Sequence, residues 1–351
     1  MHSNLPSSII INTDNAIFFE WLHQQNYTKI VILVDENTEK YCYSLLKNLF
    51  AKHILITIKS GEIHKNLKTC EQIWKKITKE NFDRKAVFIN IGGGVIGDLG
   101  GFCAAVYKRG IDFIQIPTTL LAQVDASIGG KTGVDFQGFK NHIGAFALPK
   151  MTWINPVFLG TLPDEQIKSG FAEIIKHCLI ADKKEWKNNI KKINAQNIFQ
   201  QNWQNNIEHS IKIKENITLK DPKEKGIRKF LNFGHTLGHA LETYLLNKKE
   251  RRILHGEAVA QGMIWASFLS ERIGLPTVDR EEIVSFLEEV YGNIFIKKNE
   301  IQKIINLAYQ DKKNTNNQIN FVLLENIGIP KFDVAIHEND IKTILFSKPK
   351  N

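Results

Sequence analysis

Short apolar runs alternate with amphipathic segments in the first half of the chain. The runs typical of strands are residues 30–34, 54–58, 86–91 and 113–116. Between them, residues 37–51 and 66–80 carry apolar side chains at three- and four-residue spacing, which predicts helices. Because strands alternate with helices, the pattern predicts a mainly parallel α/β sheet.

The second half follows a different period. From Thr161 onward the 3.6-residue period of a helix dominates, in segments 171–180, 206–217, 237–246, 257–273, 280–290 and 298–310. Residues 148–163 contain three prolines and a T-x-x-D helix-start signal at Thr161, so we expect a connection there. The pattern therefore predicts an α/β domain over residues 1–160 and an all-α domain over residues 161–351.

Composition agrees with two ordinary globular domains. The chain has 351 residues, 43% hydrophobic and 24% charged, which excludes disorder, collagen and a simple coiled coil. Residues 263–269 form one of the longest apolar runs, far below the roughly 20 needed to cross a bilayer, and the N-terminus lacks a signal-peptide pattern. Four dispersed cysteines without a CxxC pair indicate packing residues kept reduced. We therefore expect a cytoplasmic protein, without association with a membrane.

The net charge of +9 is compatible with nucleic acid, an anionic membrane surface or an anionic small substrate. The basic runs 183–192 and 248–252 contain acidic residues or lie in a predicted loop, so we interpret them as solvated faces. No Lys/Arg stripe with interleaved aromatic residues is visible in the sequence, which argues against nucleic acid.

A glycine-rich segment follows the third apolar run directly. Gly92-Gly93-Gly94, Gly97 and Gly100-Gly101 lie where a strand ends and a helix begins, the context that a dinucleotide-binding G-x-G-x-x-G motif requires. Such glycines let backbone N–H groups approach a pyrophosphate. A tight packing turn is the alternative. No acidic residue ends a strand about 20 residues later, since Asp112 would begin one, so another segment must hold the ribose.

Polar residues and glycines follow the fourth run, from Pro117 to Gly133, and end in cations. With Lys131 and the pair Lys140-Asn141, this segment is typical of a loop around an anionic ligand. Taken alone, each lysine could simply be exposed.

The helical half carries a candidate metal site. Glu173 lies within an apolar run with Lys176 on nearly the same helix face, His235 and His239 are four residues apart, and His255 follows a loop. Three imidazoles and a carboxylate can surround Zn²⁺, and a catalytic zinc keeps one open position beside three protein ligands. Each histidine could instead be a hydrogen-bonded core residue. Periodicity alone favours His235 and His239 as joint ligands.

Taken in order, these motifs resemble the 3-dehydroquinate synthase family over nearly the whole chain. They are Ser60-Gly61-Glu62 with Lys65, the glycine segment 92–102, Ile116-Pro117-Thr118-Thr119 through Lys131-Thr132, Ala172-Glu173-Ile174-Ile175-Lys176, Asn232-Phe233-Gly234-His235-Thr236 with Gly238-His239, and His255-Gly256-Glu257. The resemblance implies a homodimer whose subunits pair a Rossmann-like NAD-binding α/β domain with a helical domain, the active site lying in the cleft. It also implies NAD and a divalent metal, Zn²⁺ or Co²⁺, as cofactors.

The resemblance assigns roles residue by residue. The implied NAD contacts are Asp35, Glu62, Lys65, Gly93, Gly94, Val95, Asp98, Thr118, Thr119, Leu121, Asp125, Lys131, Lys140, Phe158, Thr161 and Leu162. Asp35 and Glu62 would supply the missing acidic groups for ribose. The implied metal ligands are Glu173, His235 and His255. The implied catalytic residues are His239, Lys131, Lys176, Asn232 and Asp125. The implied substrate contacts are Lys140, Asn141, Lys214, Arg228, Lys312 and, from the partner subunit, Arg109.

The implied reaction converts 3-deoxy-D-arabino-heptulosonate 7-phosphate to 3-dehydroquinate and phosphate, with NAD regenerated in each cycle. Three departures from the family pattern are His177 at an expected tyrosine, Pro222 at an expected acidic residue, and a lengthened loop at 248–252. Another sugar-phosphate cyclase, such as a 2-deoxy-scyllo-inosose synthase, and a two-domain polyol dehydrogenase remain as alternatives.

Overall fold

The computed structural model describes residues 8–246, 248–309 and 318–346. The chain divides into two compact units. The first holds the residues up to 163 together with 203–211, and the second holds 164–202 together with the residues from 212 onward. In the described part of the chain, no helix combines the length and the apolar character needed to cross a membrane.

A six-stranded parallel sheet forms the centre of the first unit, with strand order β1-β8-β5-β4-β2-β3. Its strands are β1 (Ser8–Ile11), β2 (Ile30–Asp35), β3 (His53–Ile58), β4 (Val87–Gly92), β5 (Asp112–Pro117) and β8 (Met151–Ile154). The four predicted strands, β2 to β5, are confirmed. Strand β8 lies within the segment that its prolines predicted to be a connection; its four residues are too few to show a period.

Helices cover both faces of this sheet, which explains why its strands are continuous apolar runs. On one face, Phe88 and Phe113 pack in a core with Ile73 and Leu99 from two of the helices. On the other face, the rings of Phe18 and Trp153 stack 4.5 Å apart. The helices are α1 (Asn15–Gln24), α2 (Glu36–Thr38), α3 (Ser44–Leu46), α4 (Leu67–Lys79) and α5 (Gly94–Val106).

Two predicted features of the first unit differ in the structure. The helix predicted over 37–51 is divided, because a π turn at Glu39–Tyr43 separates α2 from α3 and a 3₁₀ turn follows. The segment predicted as a ligand loop contains an antiparallel hairpin, formed by β6 (Lys131–Phe136) and β7 (Phe139–Phe146). The polar residues and glycines of this hairpin concealed its strands.

The second unit is helical, as predicted, with one hairpin added. Its helices are α6 (Asp164–Ala181), α7 (Lys183–Asn188), α8 (Trp203–Lys220, from residue 212 on), α9 (His235–Leu246), α10 (His255–Ser270), α11 (Thr277–Tyr291), α12 (Ile301–Tyr309) and α13 (Glu338–Phe346). The hairpin pairs β9 (Gln318–Asn326) with β10 (Ile329–His337). Positions along β10 mostly alternate between more and less exposed, the period of a half-covered strand.

The lysine-rich runs are more than solvated faces. Lys183 and Lys187 on α7 form ion pairs with the buried carboxylate of Asp279, and Lys187 and Lys191 pair with Glu282. The side chains of Lys183, Lys187 and Lys191 remain 31–45% exposed, which agrees with a solvated face, and the acidic partners that they gain lie about ninety residues later in the chain. All four cysteines are free and buried, as predicted.

Candidate active site

The carboxyl ends of β2 and β4 mark the position where the sheet's connections change direction. From β2 the chain continues to β3 on one side, and from β4 it continues to β5 on the other. Ligands of open α/β sheets bind at such a point, outside the carboxyl ends of the strands. Asp35 ends β2 and Gly92 ends β4, so the glycine segment and an acidic residue meet there.

The glycines of this segment serve two different needs. A side-chain carbon at Gly100 would lie 1.8 Å from Oδ1 of Asn90, and one at Gly101 would lie 2.6 Å from Cγ2 of Thr132. These two glycines let α5 pack against its neighbours. At Gly94, where α5 begins, the nearest such contact is 3.5 Å away, which is ordinary van der Waals contact. Packing within the protein therefore does not require glycine at position 94, and a glycine there lets a ligand approach the backbone N–H groups of the helix N-terminus.

A cluster of charged side chains accompanies the glycine segment. Nζ of Lys65 lies 2.8 Å from Oδ2 of Asp98 and 3.5 Å from Oε1 of Glu62, and Nζ of Lys140 lies 3.9 Å from the same Glu62 oxygen. Lys65 is only 4% exposed. Burial lowers the pKa of Lys65, but Asp98 and Glu62 raise it above its usual range. The structure thus brings together four of the residues to which the resemblance assigns NAD contacts.

The remaining NAD residues lie at the carboxyl ends of β2, β4, β5 and β8 or on the segments that follow these strands. Asp35 caps α2, since its Oδ1 accepts hydrogen bonds from the N–H groups of Asn37 and Thr38 at 2.9 and 2.8 Å.

Burial raises the pKa of the Cys42 thiol to about 11, although hydrogen bonds with the hydroxyls of Thr161 and Thr118 lower it. Those two threonines therefore lie close together. Thr119, Leu121 and Asp125 follow β5, Val95 lies in the first turn of α5, and Phe158 and Leu162 belong to or follow the 3₁₀ helix Pro156–Thr161.

Two predicted substrate residues lie on left-handed backbone. Asn141 has φ +51°, and its N–H donates to Oδ1 of Asp135 at 2.8 Å. Arg109 has φ +69° and follows another left-handed residue, whose carbonyl oxygen accepts two hydrogen bonds from Arg84. Such conformations are uncommon for residues other than glycine, asparagine adopts them more readily than most, and they occur in turns as well as at functional sites. Lys131 begins β6 with an exposed side chain. The contact of Arg109 with a partner subunit's substrate stays a prediction.

The second unit contains a cluster of one carboxylate and three imidazoles. Oε1 of Glu173, on α6, lies 3.4 Å from Nε2 of His235 and 3.6 Å from Nε2 of His255. The ring centroid of His239 lies 4.9 and 5.5 Å from those of His235 and His255. The ligand atoms of the three histidines lie within 4.8 Å of one another. The residues predicted from spacing are therefore neighbours in the fold.

Glycines hold the three helices of this cluster in backbone contact. A side-chain carbon at Gly262 of α10 would lie 1.8 Å from the carbonyl oxygen of Gly234, which immediately precedes α9. One at Gly256 would lie 2.1 Å from the carbonyl oxygen of Ser169 on α6. Because only glycine fits at these positions, α6, α9 and α10 approach closely enough to bring their functional side chains together.

The Glu173, His235 and His255 atoms fit a divalent cation. Two ligands of a tetrahedral zinc, each about 2.0–2.1 Å from the metal, lie about 3.4 Å apart. Glu173 is fully buried, and its Oε1 accepts no hydrogen bond from the described residues, so this oxygen suits a cation. Burial raises the pKa of Glu173, but the Lys176 ammonium group in contact with Oε2 and the imidazole of His235 hold it well below its usual range. The carboxylate is therefore ionised.

Both imidazoles that face Glu173 are anchored through their other nitrogen. Nδ1 of His235 lies 3.1 Å from the carbonyl oxygen of Phe233, and Nδ1 of His255 lies 3.2 Å from Oε2 of Glu242. Burial lowers the pKa of His255, but the neighbouring carboxylates of Glu173 and Glu242 raise it to about 9. Glu242 was not among the residues predicted from the sequence. Its position seven residues after His235 placed it on the same helix face and could have revealed it.

Buried cations lie in the same unit. Lys176 is 1% exposed, Arg228 is 2% exposed, and Lys214 is also buried. Nη1 of Arg228 donates to the carbonyl oxygen of Pro222, and Nδ2 of Asn232 donates to Oε1 of Glu224. The ammonium group of Lys176 contacts Oε2 of Glu173, so this buried cation has an anionic partner within the protein. The predicted substrate contact Lys312 lies outside the described residues.

The loop before His255 is held by a carboxylate that the sequence did not reveal. Glu300 accepts hydrogen bonds from Lys248 at 2.7 Å and from Nη1 of Arg251 at 2.7 and 2.9 Å. Burial raises the pKa of Glu300, but Arg251 and Lys248 lower it to about 2. Lys248 and Arg251 remain 36% and 30% exposed, so the predicted solvated face is retained here and also forms ion pairs with a buried carboxylate.

The chain is similar to 3-dehydroquinate synthases over most of its length. Residues 55–169 match the model of the 3-dehydroquinate synthase N-terminal domain, and residues 170–314 match that of the C-terminal domain. A 3-dehydroquinate synthase of Parabacteroides distasonis is 40% identical over 327 residues, covering 92% of this chain and 91% of its own.

Two solved structures share the fold. A 2-epi-5-epi-valiolone synthase from Streptomyces hygroscopicus, with NAD⁺ and Zn²⁺ bound, has a TM-score of 0.87 at 21% identity, covering 98% of this chain and 97% of its own. A 2-deoxy-scyllo-inosose synthase complexed with carbaglucose-6-phosphate, NAD⁺ and Co²⁺ has a TM-score of 0.83 at 23% identity, covering 96% and 95%. The predicted fold class, an α/β unit followed by a helical region, is confirmed.

Proposed function

Because the chain belongs to the 3-dehydroquinate synthase family, we propose that it converts 3-deoxy-D-arabino-heptulosonate 7-phosphate to 3-dehydroquinate and phosphate. One observation of its own side chains carries the proposal. The buried Oε1 of Glu173 faces Nε2 of His235 and Nε2 of His255 at the spacing of metal ligands. A metal centre of this kind suits a substrate that offers hydroxyl groups as further ligands.

The proposal assigns residues 1–160 to NAD binding and residues 161–351 to the metal and the substrate. The two cyclases of the same fold are described with NAD⁺ and with Zn²⁺ or Co²⁺, and we propose the same cofactors here. When bound, NAD⁺ supplies a hydride acceptor that is restored within each turnover, and the metal supplies a Lewis acid.

In the NAD-binding part, the N-terminus of α5 would bind the pyrophosphate through its backbone N–H groups. Asp35 and Glu62 would accept hydrogen bonds from ribose hydroxyls. The ion pair of Lys65 with Asp98, together with Glu62, would hold these groups in fixed positions before the cofactor arrives. Thr118 and Thr161 would line the same side of the cofactor.

In the metal-binding part, Glu173, His235 and His255 would be the ligands, and His239 would be left to contact the substrate. His239 would then hold or move a proton at a substrate hydroxyl. Lys176, Lys214 and Arg228 would bind the carboxylate and the phosphate by charge-assisted hydrogen bonds. The phosphate would leave with the electrons of its C–O bond, and the proton from the adjacent carbon would go to the leaving phosphate itself, so that this step needs no general base among the described residues.

The proposed homodimer rests on the family resemblance, with Arg109 of the partner subunit expected to contact the substrate phosphate. A mixture of two inactive variants tests this arrangement. Arg109→Ala and His239→Ala chains, mixed under conditions that allow subunits to exchange, should regain part of the activity, because some sites then hold a wild-type residue at both positions.

Phosphate release tests the proposed function as a whole. The heptulosonate phosphate should release many equivalents of phosphate for each NAD⁺ supplied, without lasting absorbance of NADH. One NADH per product would instead indicate a net dehydrogenase. The same assay with glucose 6-phosphate, which the analogue in the inosose synthase complex resembles, separates the alternative cyclase. Phosphate release from that sugar alone would refute the proposed substrate.

A further inference from the structure

The two histidines that face Glu173 differ in how they are anchored. Nδ1 of His235 contacts a backbone carbonyl, whereas Nδ1 of His255 contacts the side-chain carboxylate of Glu242 at 3.2 Å. We propose that Glu242 is a positioning residue of the metal centre: it fixes the ring of His255 so that Nε2 carries the lone pair directed at the metal. This inference rests on the proposed metal site.

The hydrogen-bonding chemistry of the two groups supports this assignment. A neutral imidazole has one N–H donor and one acceptor nitrogen, and an ionised carboxylate has only acceptors. A metal-bound imidazole is neutral, so in that form the contact with Glu242 keeps the proton on Nδ1 of His255 and leaves Nε2 as the ligand atom. Carboxylate–histidine–metal arrangements of this type orient the ring and raise the basicity of the ligand.

The position of Glu242 favours a role at the metal centre over a purely structural one. It lies on α9, the helix of His235, but contacts His255 on α10. It is 6% exposed, and a buried carboxylate is costly unless it is used in hydrogen bonds or ion pairs. Glu242 thereby ties the ring of one proposed ligand to the helix that carries the other.

Two substitutions separate the orientation of the ring from the charge of the carboxylate. In Glu242→Gln the amide oxygen can still accept the Nδ1–H bond, but the negative charge is lost. In Glu242→Ala both are lost. Glu282→Gln is the matched control, because Glu282 accepts a hydrogen bond from an indole N–H, that of Trp186, at 2.7 Å in the same unit and is not part of the cluster.

Competition with a chelator measures the affinity of the metal-stripped full-length protein for Co²⁺ and for Zn²⁺. The visible absorption spectrum of the Co²⁺ form is recorded as well. Loss of an outer-shell partner typically weakens metal affinity 10- to 100-fold. We expect a loss of this size for Glu242→Ala with a changed Co²⁺ spectrum, a smaller loss for Glu242→Gln, and wild-type affinity for Glu282→Gln.

Two other results would overturn the inference, and they differ in what else they affect. If wild type binds Co²⁺ and both Glu242 variants bind it within about threefold of wild type, Glu242 has no positioning role, while the proposed function stands. If the wild-type protein itself binds no Co²⁺ or Zn²⁺, the proposed metal site fails and the inference fails with it. The glutamine variant keeps the test decisive should the alanine variant not fold.

Discussion

Gly262→Ala should disturb both the stability of the helical unit and the proposed metal centre. Gly262 lies on α10, and a side-chain carbon there would be 1.8 Å from the carbonyl oxygen of Gly234 and 3.0 Å from the backbone nitrogen of Gly238. These neighbours are backbone atoms, so no rotation of a side chain can relieve the clash. The helices α9 and α10 must move apart.

The size of that movement follows from ordinary contact distances. A carbon and a carbonyl oxygen in contact are normally about 3.3 Å apart or more, so the backbones must separate by roughly 1.5 Å. Metal–ligand distances tolerate only about 0.2 Å. His235 begins α9 and His255 begins α10, so the substitution should displace one ligand relative to the other. Overpacking typically costs about 1–3 kcal/mol, and we expect the upper end or more because the opposing atoms are backbone.

Denaturant unfolding of the metal-free protein measures the stability loss, and chelator competition measures metal affinity. Gly160→Ala is the matched control, since a side-chain carbon at Gly160 has no heavy atom within 4 Å. The control should resemble wild type, whereas Gly262→Ala should lose about 3 kcal/mol of unfolding free energy and at least about tenfold in zinc affinity. A Gly262→Ala protein with wild-type stability and affinity would refute the close contact of the two helices.

Three further outcomes follow from the site. Glu300→Gln should lower the free energy of unfolding by up to about 3 kcal/mol at pH 7, because the pKa of Glu300 falls from 4.5 to about 2 on folding. Urea unfolding measures this difference from wild type, which should shrink as the pH falls from 4.5 toward 2. Metal analysis should find His235→Ala without zinc and His239→Ala with near-stoichiometric zinc but about a hundredfold slower turnover; a zinc-free His239→Ala protein would show that the roles are reversed. Lys131→Ala should reduce kcat/KM at least roughly tenfold, and unchanged steady-state kinetics would make it an ordinary surface lysine.

The parts of the fold that the sequence predicted are those with a strong local signal. Strands β2 to β5 are buried on both faces and therefore form continuous apolar runs. The long helices of the second unit show a clear 3.6-residue period. The hairpin of β9 and β10 was not predicted, because the 3.6-residue period of the preceding segments led us to expect further helices after α12. The π turn at Glu39–Tyr43 has no signal in the apolar spacing.

The residues of the candidate site also fall into those that the sequence could predict and those that it could not. Glu173, His235 and His255 could be predicted because their residue types and spacing are typical of metal ligands. Glu300 could not, since its partners Lys248 and Arg251 are about fifty residues away in sequence and only the fold brings them to it. Glu242 was accessible in principle from its helix face, but nothing in the sequence indicated that His255 would lie against it.

The order in which the ribosome delivers the chain bears on how the first unit is completed. Residues 203–211 belong to this unit, although residues 164–202 of the second unit precede them. At typical translation rates of about 5–20 residues per second, that intervening stretch adds roughly 2–8 s before the first unit has all its residues. A nascent chain or an expressed fragment that ends at residue 163 would therefore contain the whole parallel sheet but lack a part of its own unit. Although such fragments contain every strand of the sheet, we expect them to fold less readily on their own and to depend more on chaperones.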